Sequence, residues 1–396
     1  MSYSQQSDLP PKLQEAIDKI IQNENFKSYH IEVKQLEIDN SFVGSYREIN
    51  ISGESKNGNK ELQLFTKTNL DDKINNVDMV ANVSNLYKIE AFMYSEFNKT
   101  INEVQEEANI PFEERYVLAK SYVSSDENTI IMENLAAKGF TMYPHQRVIT
   151  LKFAELAIQS LAKFHSFAFI LKERRPLFYE NKVKNMKQPL LYGTNSFNEL
   201  VQKCSQYTID NLNPEHKKKM EIFLPTILEK FQKYTADPAD VWCLVHGDFK
   251  SGNIMAQFKN GEPCEVRVVD YQFSFYGCSI IELFNFIFTG TDQEFRKNHL
   301  EYLKNFYYKS MEEFLKLFNM DVEDYYPRAE FERLYKERLD YGLMIALFFL
   351  PIILAKKNEN SVADILDSPS NAPVMSDFIR NRISGIVEDF IQWGYI

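Results

Sequence analysis

The sequence contains few of the residues that mark secreted or metal-stapled proteins. Its 396 residues include 4 cysteines, none in a C-x-x-C pair and none spaced with histidine as zinc ligands are. Such sparse cysteine use in a long chain is typical of a reducing compartment. The first residues, MSYSQQSDLPPKLQ, also have no apolar signal segment. We therefore expect a cytoplasmic protein.

Long apolar runs and a surplus of basic charge are missing as well. The longest apolar run, residues 343–355, is too short to span a bilayer and contains Pro351, so we expect a buried helix there and no membrane span. The net charge is −11, with 45 Lys and Arg against 56 Asp and Glu. Because phosphate backbones are bound by basic surfaces, no nucleic-acid partner is expected.

The pattern of apolar residues divides the chain into a strand-rich part and a helical part. Residues 29–69 alternate apolar and polar side chains between turn-rich links, which predicts antiparallel strands. Helical spacing predicts helices at 10–25 and 84–101, and residues 116–125 and 128–135 are expected to form two more strands. After residue 136 helical spacing dominates, with a long helix at 146–173 and others at 195–212 and 214–234. The pattern favours an α+β fold with a boundary near 135–140.

One short stretch, CLVHGDFKSGNIM at 243–255, places several polar residues between apolar segments. Phosphoryl transfer from ATP needs a carboxylate near the acceptor hydroxyl, and an amide oxygen and a second carboxylate on Mg²⁺. The spacing from Asp248 to Asn253, followed by Asp270 after the apolar strand VRVV, supplies these groups. Asp and Asn beside Gly are also common in tight turns, but the combined pattern favours Asp248 as the catalytic base and Asn253 and Asp270 as metal ligands.

Three further residues belong to the same region. Lys250 is either a cation that reaches the transferred phosphoryl group or a surface lysine. His246 is expected to brace the loop through its ring nitrogens. Glu282 either accepts hydrogen bonds from the loop or starts a helix, and the sequence leaves both roles open. His165, on the long helix, is expected to be a packed histidine.

A kinase also needs a lysine on a strand for the phosphates and a glutamate on a helix to hold it. Lys67 ends an apolar strand, and Glu90 lies among buried positions of the next helix, where an unpaired carboxylate would be expensive. We predict that the two form an ion pair; two solvated charges are the alternative.

The remaining nucleotide contacts leave weaker signals. At the boundary, the backbone of Glu133 and Leu135 is expected to contact adenine. No G-x-G-x-x-G precedes Lys67. The loop around Gly44 has Ser41 and Ser45, which either cover the phosphates with backbone amides or belong to an ordinary hairpin.

These residues and motifs together resemble the CHK kinase-like group, the ecdysteroid kinase-like family. The matching stretches are LQLFTKT, YKIEAFMYSEF, IIMENLAAKGF, LAKFHSF, LVHGDFKSGNIM and VRVVDYQFSFYGCSIIELFNFIF. The resemblance implies a bilobal protein-kinase-like fold, similar to choline kinases and aminoglycoside phosphotransferases. It implies a small antiparallel-sheet N-lobe with one key helix at 1–135 and a large helical C-lobe at 136–396. It also implies ATP and Mg²⁺ as cofactors and a small-molecule alcohol, with an ecdysteroid or related steroid or xenobiotic as the expected acceptor.

Some positions depart from the family's pattern. The family usually has an aromatic residue or Cys where Lys250 stands, often Asn where Gly252 stands, and usually Asp where Glu282 stands. These departures leave open a catalytically weak or inactive kinase-fold binding protein, and aromatic residues would equally permit a choline or ethanolamine-type kinase. A helical insertion around 173–240 and the lack of an A-P-E segment after Asp270 argue against a protein kinase.

Overall fold

The fold was determined from a computed structural model of the chain. The structure describes residues 9–36, 44–56, 58–69, 83–122, 129–144, 147–189, 194–236, 241–354 and 375–396. It is a bilobal α+β fold, with an antiparallel sheet in the N-terminal part and helices in the rest, as the sequence predicted. No helix in these ranges is both long and apolar enough to cross a membrane.

Within the described ranges the strands form three antiparallel sheets. The first four strands follow chain order in one sheet, β1-β2-β3-β4, and two smaller sheets, β5-β7-β8 and β6-β9, lie in the C-terminal part. The strands are β1 (Phe26–Leu36), β2 (Ser45–Ser55), β3 (Gly58–Thr68), β4 (Thr129–Glu133), β5 (Thr141–Met142), β6 (Trp242–Val245), β7 (Ile254–Lys259), β8 (Glu262–Val268) and β9 (Phe275–Cys278).

Helices make up most of the remainder. The α-helices are α1 (Pro11–Asn23), α2 (Val83–Phe92), α3 (Asn98–Glu107), α4 (Leu151–Arg174), α5 (Pro176–Phe178), α6 (Asn195–Asp210), α7 (Pro214–Phe223), α8 (Ile227–Ala236), α9 (Ser279–Gly290), α10 (Gln293–Lys316), α11 (Val322–Tyr325), α12 (Arg328–Arg338), α13 (Tyr341–Met344), α14 (Leu350–Leu354) and α15 (Asp377–Gln392). Between α2 and α3 the backbone forms a π-helical turn, Met93–Phe97.

Helix α1 covers one face of the N-terminal sheet. Pro11 stands in its first turn, where a missing N–H costs nothing. Its predicted apolar face is buried against sheet residues that include Ile49, Ile51 and Leu64. The buried face consists of Leu13, Ala16, Ile17, Ile20 and Ile21. This small core is separate from the large core that extends from α2 through the helical part.

The C-terminal core is built around α4 and α10, which pack along one another. The side chain of Thr150 caps α4 by accepting a hydrogen bond from the N–H of Phe153, so the helix begins five residues later than the predicted start at 146. The apolar run predicted to be a buried helix is α13, a π-helical turn at Ile345–Phe349 and α14, with Pro351 in α14.

Two expectations from the sequence were wrong. Within residues 116–122 no strand forms; a single bridge links Ser121 to Met132 on β4. The side chain of Gln105 bonds both backbone groups of Tyr116, at 2.8 and 3.2 Å, and so replaces a strand partner. The helix predicted at 214–234 is divided into α7 and α8 by a 3₁₀ turn, Leu224–Thr226, whose Pro225 has no N–H to donate.

Candidate active site

The loop that follows β6 turns at Gly247, where the backbone has a positive φ of 84°. A Cβ built on Gly247 would lie 2.0 Å from the carbonyl oxygen of Phe273, closer than any real contact. Only glycine therefore allows the HGD loop to lie against the backbone that follows Asp270.

His246 is fully buried and ties this loop to the end of β8. Its Nδ1 accepts a hydrogen bond from the N–H of Asp248 at 3.3 Å, and Nε2 lies 2.9 Å from the carbonyl oxygen of Val269. Because a carbonyl oxygen only accepts, Nε2 carries the proton and Nδ1 is the acceptor. The imidazole ring thus contacts both segments expected to carry the chemistry, the loop of Asp248 and the segment that leads to Asp270.

Glu282 lies in the first turn of α9 and also contacts the loop. The two placements left open by the sequence, at the start of a helix and in contact with the loop, are therefore both observed. Its two carboxylate oxygens accept hydrogen bonds from consecutive backbone N–H groups, those of His246 at 2.8 Å and Gly247 at 2.6 Å. His165 is packed in the core, with Nε2 2.9 Å from Glu282 and Nδ1 2.7 Å from the hydroxyl of Tyr307.

Asp248 is held by two neighbours on its own loop. Both act on Oδ2: the Nζ of Lys250 at 2.6 Å and the Nδ2 of Asn253 at 2.9 Å, and the same Nδ2 donates to the Asp248 carbonyl at 2.9 Å. Among the described residues, Oδ1 has no hydrogen-bond partner and is available to another group. Because the amide nitrogen of Asn253 faces Asp248, its amide oxygen is turned the other way.

Asp270 follows β8 in a left-handed conformation, with φ 69° and ψ 56°. Its N–H donates to the hydroxyl of Tyr94 at 3.2 Å. The N–H of the preceding residue, Val269, donates to the carbonyl oxygen of Asn253 at 3.0 Å. The backbones that carry the two expected metal ligands are thus bonded to each other, and the αL turn at Asp270 is a backbone conformation of the kind found at functional sites.

Lys67 makes three contacts through its ammonium group. Nζ lies 2.7 Å from Glu90, 3.0 Å from Asp270 and 2.9 Å from the side-chain oxygen of Gln272. Lys67 and Glu90, predicted as a pair, are therefore in contact, and both are buried. The ammonium also lies 5.5 Å from the ring centre of Tyr87.

Burial and neighbouring charges shift the pKa values of Lys67, Glu90 and Asp270 in different directions. Burial alone would lower the pKa of Lys67, but the carboxylates of Asp270 and Glu90 raise that pKa well above its ordinary value. Burial raises the pKa of Glu90 to about 7, against the opposing effect of Lys67. Burial also opposes ionisation of Asp270, but Lys67 outweighs it and lowers the pKa of Asp270. Lys67 and Asp270 thus remain ionised at neutral pH while Glu90 titrates there.

Some backbone groups of Glu133 and Leu135, the residues expected to contact adenine, form hydrogen bonds within the protein. The N–H of Glu133 donates to the carbonyl of Lys120 at 2.8 Å, and its side chain pairs with Lys138. Leu135 is buried, and its carbonyl accepts from the N–H groups of Lys138 and Phe140. Any contact of Leu135 with a base would therefore be made through its N–H.

The predicted phosphate-covering loop is described only at its end. Ser45 begins β2, is buried and accepts a hydrogen bond from Gln35 at 2.9 Å. Gly44 precedes it, and Ser41 lies outside the described residues.

Sequence reasoning missed two contributors to the site. Gln272 contacts both Lys67 and Asp270, and Tyr94 accepts the backbone N–H of Asp270. The available signal for Gln272 was its position, because it is a polar residue two positions after Asp270, the aspartate at the end of a strand. Tyr94 had no polar signal, because a tyrosine at helical spacing is ordinarily part of a core.

The donors present suit a hard divalent cation. The carboxylate of Asp270 and the outward amide oxygen of Asn253 are oxygen ligands, which Mg²⁺ prefers. In the described ranges no group of three or more His, Cys, Asp or Glu side chains is placed to hold a metal.

A comparison of the sequence with protein-family profiles identifies the family of the chain. The profile of the ecdysteroid kinase-like family matches residues 40–320, which is more than half of the 396 residues. The chain belongs to this family, and it is therefore classed with kinases that phosphorylate hydroxyl groups of small molecules. No curated protein sequence matches the chain.

Several solved structures resemble it in overall shape. Ethanolamine kinase from Plasmodium vivax is 12% identical, with 92% of this chain and 83% of that chain covered and a TM-score of 0.45. Choline kinase LicA from Streptococcus pneumoniae is 12% identical, with 96% and 99% covered and a TM-score of 0.41. The GDP complex of aminoglycoside 2'-phosphotransferase-IIIa is 11% identical, with 97% and 99% covered and a TM-score of 0.43.

Proposed function

We propose that the protein transfers the γ-phosphoryl group of ATP to the hydroxyl of a small-molecule alcohol, with Mg²⁺. The observation that carries this proposal is the hydrogen bonding between the loop of Asp248 and Asn253 and the segment that carries Asp270. Asp248 and Asn253 share a hydrogen bond, and the backbone of Asn253 is bonded to the residue before Asp270. Lys67, paired with Glu90, contacts Asp270 from the opposite lobe.

The roles follow from the chemistry of each group and from its contacts among the described residues. Oδ1 of Asp248 accepts the proton of the acceptor hydroxyl while the hydroxyl oxygen forms its bond to the γ-phosphorus. The bond from that phosphorus to the bridging oxygen breaks, and ADP leaves with the electron pair. Lys67, whose three N–H donors face Glu90, Asp270 and Gln272, binds the α- and β-phosphates by exchanging one of these contacts for a phosphate oxygen. Lys250, which lies beside Asp248, offsets the charge of the transferred group. Bound Mg²⁺, held by Asn253 and Asp270, would neutralise phosphate charge.

The nucleotide contacts and lobes are part of this proposal. Adenine binds along the backbone of Glu133 and Leu135, and Ser45 lies at the phosphate-covering loop. The lobes are 1–135 and 136–396. Helices α6 to α8 lie in the predicted insertion at 173–240, between α4 and β6, where they are available to enclose an acceptor. The four cysteines are free, which supports a cytoplasmic location.

For the acceptor we propose an ecdysteroid or a related steroid or xenobiotic alcohol. Membership in the ecdysteroid kinase-like family supports this choice. An acceptor of the choline or ethanolamine type is the alternative within the same chemistry. A small molecule, in either case, is the proposed partner.

A second candidate is a kinase-fold binding protein without turnover. The observation that favours it is the ion pair between Lys250 and Asp248, because the ammonium lies 2.6 Å from Oδ2 of the carboxylate that would have to accept the proton. This candidate predicts nucleotide binding without transfer.

The experiment measures phosphate transfer from labelled ATP to a panel of ecdysteroids, other steroids, choline and ethanolamine. Asp248→Asn and Asp270→Asn are compared with Asp210→Asn, a control on the exposed end of α6. We expect transfer that requires a divalent cation, is lost in both site variants and is kept in the control. Transfer that survives both site variants would exclude the proposed site. Stabilisation by Mg-ATP without transfer to any member of the panel would favour the binding protein.

A further inference from the structure

The side-chain amide of Gln272 bridges two oppositely charged groups. Its oxygen accepts from the Nζ of Lys67 at 2.9 Å, and its nitrogen donates to Oδ2 of Asp270 at 3.3 Å. Lys67 in turn contacts Oδ1 of Asp270 at 3.0 Å. The three side chains therefore form a closed ring of hydrogen bonds.

The two neighbours of Gln272 require a neutral group with both a donor and an acceptor, and its amide has both. An ammonium has donors and no acceptor, and an ionised carboxylate has acceptors and no donor. A carboxylate at position 272 would accept from Lys67 but repel Asp270, and a hydrocarbon side chain would bond neither. The partners also fix the orientation of the amide, because the oxygen must face Lys67.

The backbone that carries Gln272 is held on both sides. Tyr271, which precedes it, is fully buried, and its ring centre lies 4.7 Å from that of His246. The hydroxyl of Tyr271 bonds that of Tyr116. Phe273, which follows it, lies against Gly247. The amide therefore extends from a rigid turn, which is the condition for a side chain to hold others in place.

We infer that Gln272 is a positioning residue for nucleotide and metal binding, an inference that rests on the proposed function. Its amide fixes the ammonium of Lys67, which binds the phosphates, relative to the carboxylate of Asp270, which binds the metal. Because the amide is neutral, it does so without adding a carboxylate beside Asp270. Position 272 thus sets the affinity for the divalent cation as well as for the nucleotide.

The test compares Gln272→Leu and Gln272→Glu with the wild type and with Gln206→Leu. Gln206 is a matched control, since its amide also donates to an aspartate, Asp210, but on the surface of α6. Binding of ADP with Mg²⁺, and of Mn²⁺ alone, is measured by calorimetry on the full chain. These probes need no acceptor.

We expect Gln272→Leu to weaken ADP binding by about tenfold, the size of one lost hydrogen bond to a charged group. Gln272→Glu is expected to recover part of the ADP affinity through Lys67 and to bind Mn²⁺ several-fold more tightly than the wild type, because of the added charge. Thermal unfolding without ligand shows whether each variant is folded. If Gln272→Leu unfolds, Gln272→Glu alone decides the matter through Mn²⁺.

The failures are distinguishable. A wild type that binds neither ADP with Mg²⁺ nor Mn²⁺ overturns the proposed function and this inference with it. A wild type that binds both, with unchanged affinities in the folded Gln272 variants, overturns only the inference. Equal weakening in Gln206→Leu would also overturn it, since the effect would not belong to the site.

Discussion

His165 and Glu282, 117 residues apart in the sequence, share a hydrogen bond of 2.9 Å in the interior of the protein. Glu282 also accepts the N–H groups of His246 and Gly247. The bond to His165 therefore joins the long helix α4 to the proposed catalytic loop through one carboxylate. The position of Asp248, which follows Gly247 directly, therefore depends on a carboxylate in the interior of the protein.

Replacing Glu282 by Gln should test this dependence. The new amide has one oxygen for three donors, so at least one buried N–H loses its partner, and we expect a loss of about 1–3 kcal/mol in the free energy of unfolding. Urea denaturation measures it, and kcat should fall more than KM for ATP rises. Glu388→Gln is the control, because Glu388 also pairs with a histidine, His216, but is partly exposed. Equal losses in the two variants would contradict the prediction.

Gly247 should not tolerate a methyl group. Gly247→Ala would add a left-handed residue strain of about 1–2 kcal/mol and a collision with the carbonyl of Phe273. Gly261→Ala is a matched control, since Gly261 has a similar φ of 82° but no atom within 4 Å of its built Cβ. We expect similar strain in both but loss of phosphate transfer only in Gly247→Ala. Full transfer by Gly247→Ala would show that the loop can move away from Phe273.

Lys250→Met separates the two roles considered for this lysine. If Lys250 offsets charge on the transferred phosphoryl group, kcat falls by about 10²–10³-fold while KM for ATP changes little. Lys184→Met, which removes a surface lysine paired with Glu180, should change neither constant. A kcat that rises on removal of Lys250 would instead show that the ion pair restrains Asp248 from acting on the acceptor hydroxyl.

The raised pKa of Glu90 predicts two opposite responses to pH. Its pKa is raised from 4.5 to about 7 by burial, so the folded state binds more protons than the unfolded state between these values. The stability contribution of this group therefore falls as pH rises from about 4.5 to about 7. Nucleotide affinity should rise over the upper part of this range, because ionised Glu90 holds Lys67. Titration of ADP binding and of urea midpoints should show both trends, and Glu90→Gln should remove both.

The parts of the site that could be predicted are those written in short, contiguous patterns. The spacing of Asp248, Asn253 and Asp270 and the buried setting of Glu90 were visible in the sequence, and the structure brings these residues into contact with one another or with Lys67. Their catalytic roles remain predictions. The N-terminal sheet and its covering helix followed from periodicity alone.

What could not be predicted depends on pairs that are distant in the chain. No local signal connects His165 with Glu282. Tyr116, at the start of the segment where a strand was expected, is a second example, because Gln105 satisfies its backbone from a different element. A propensity for extended structure is visible in the sequence, but the partner that replaces a neighbouring strand is not.

The π-helical turn at Met93–Phe97 has a consequence for comparing this chain with its relatives. Such a turn contains one residue more than the α-helical turn it replaces and is often found at functional sites. It begins three residues after Glu90 and includes Tyr94, so it affects which side chains face Asp270. A relative that lacks one residue here would have a regular helix, and everything on one side of the gap would be rotated by about 100°. Alignments of this helix should therefore allow a single-residue gap between Glu90 and Asn98, or they will pair buried positions with exposed ones.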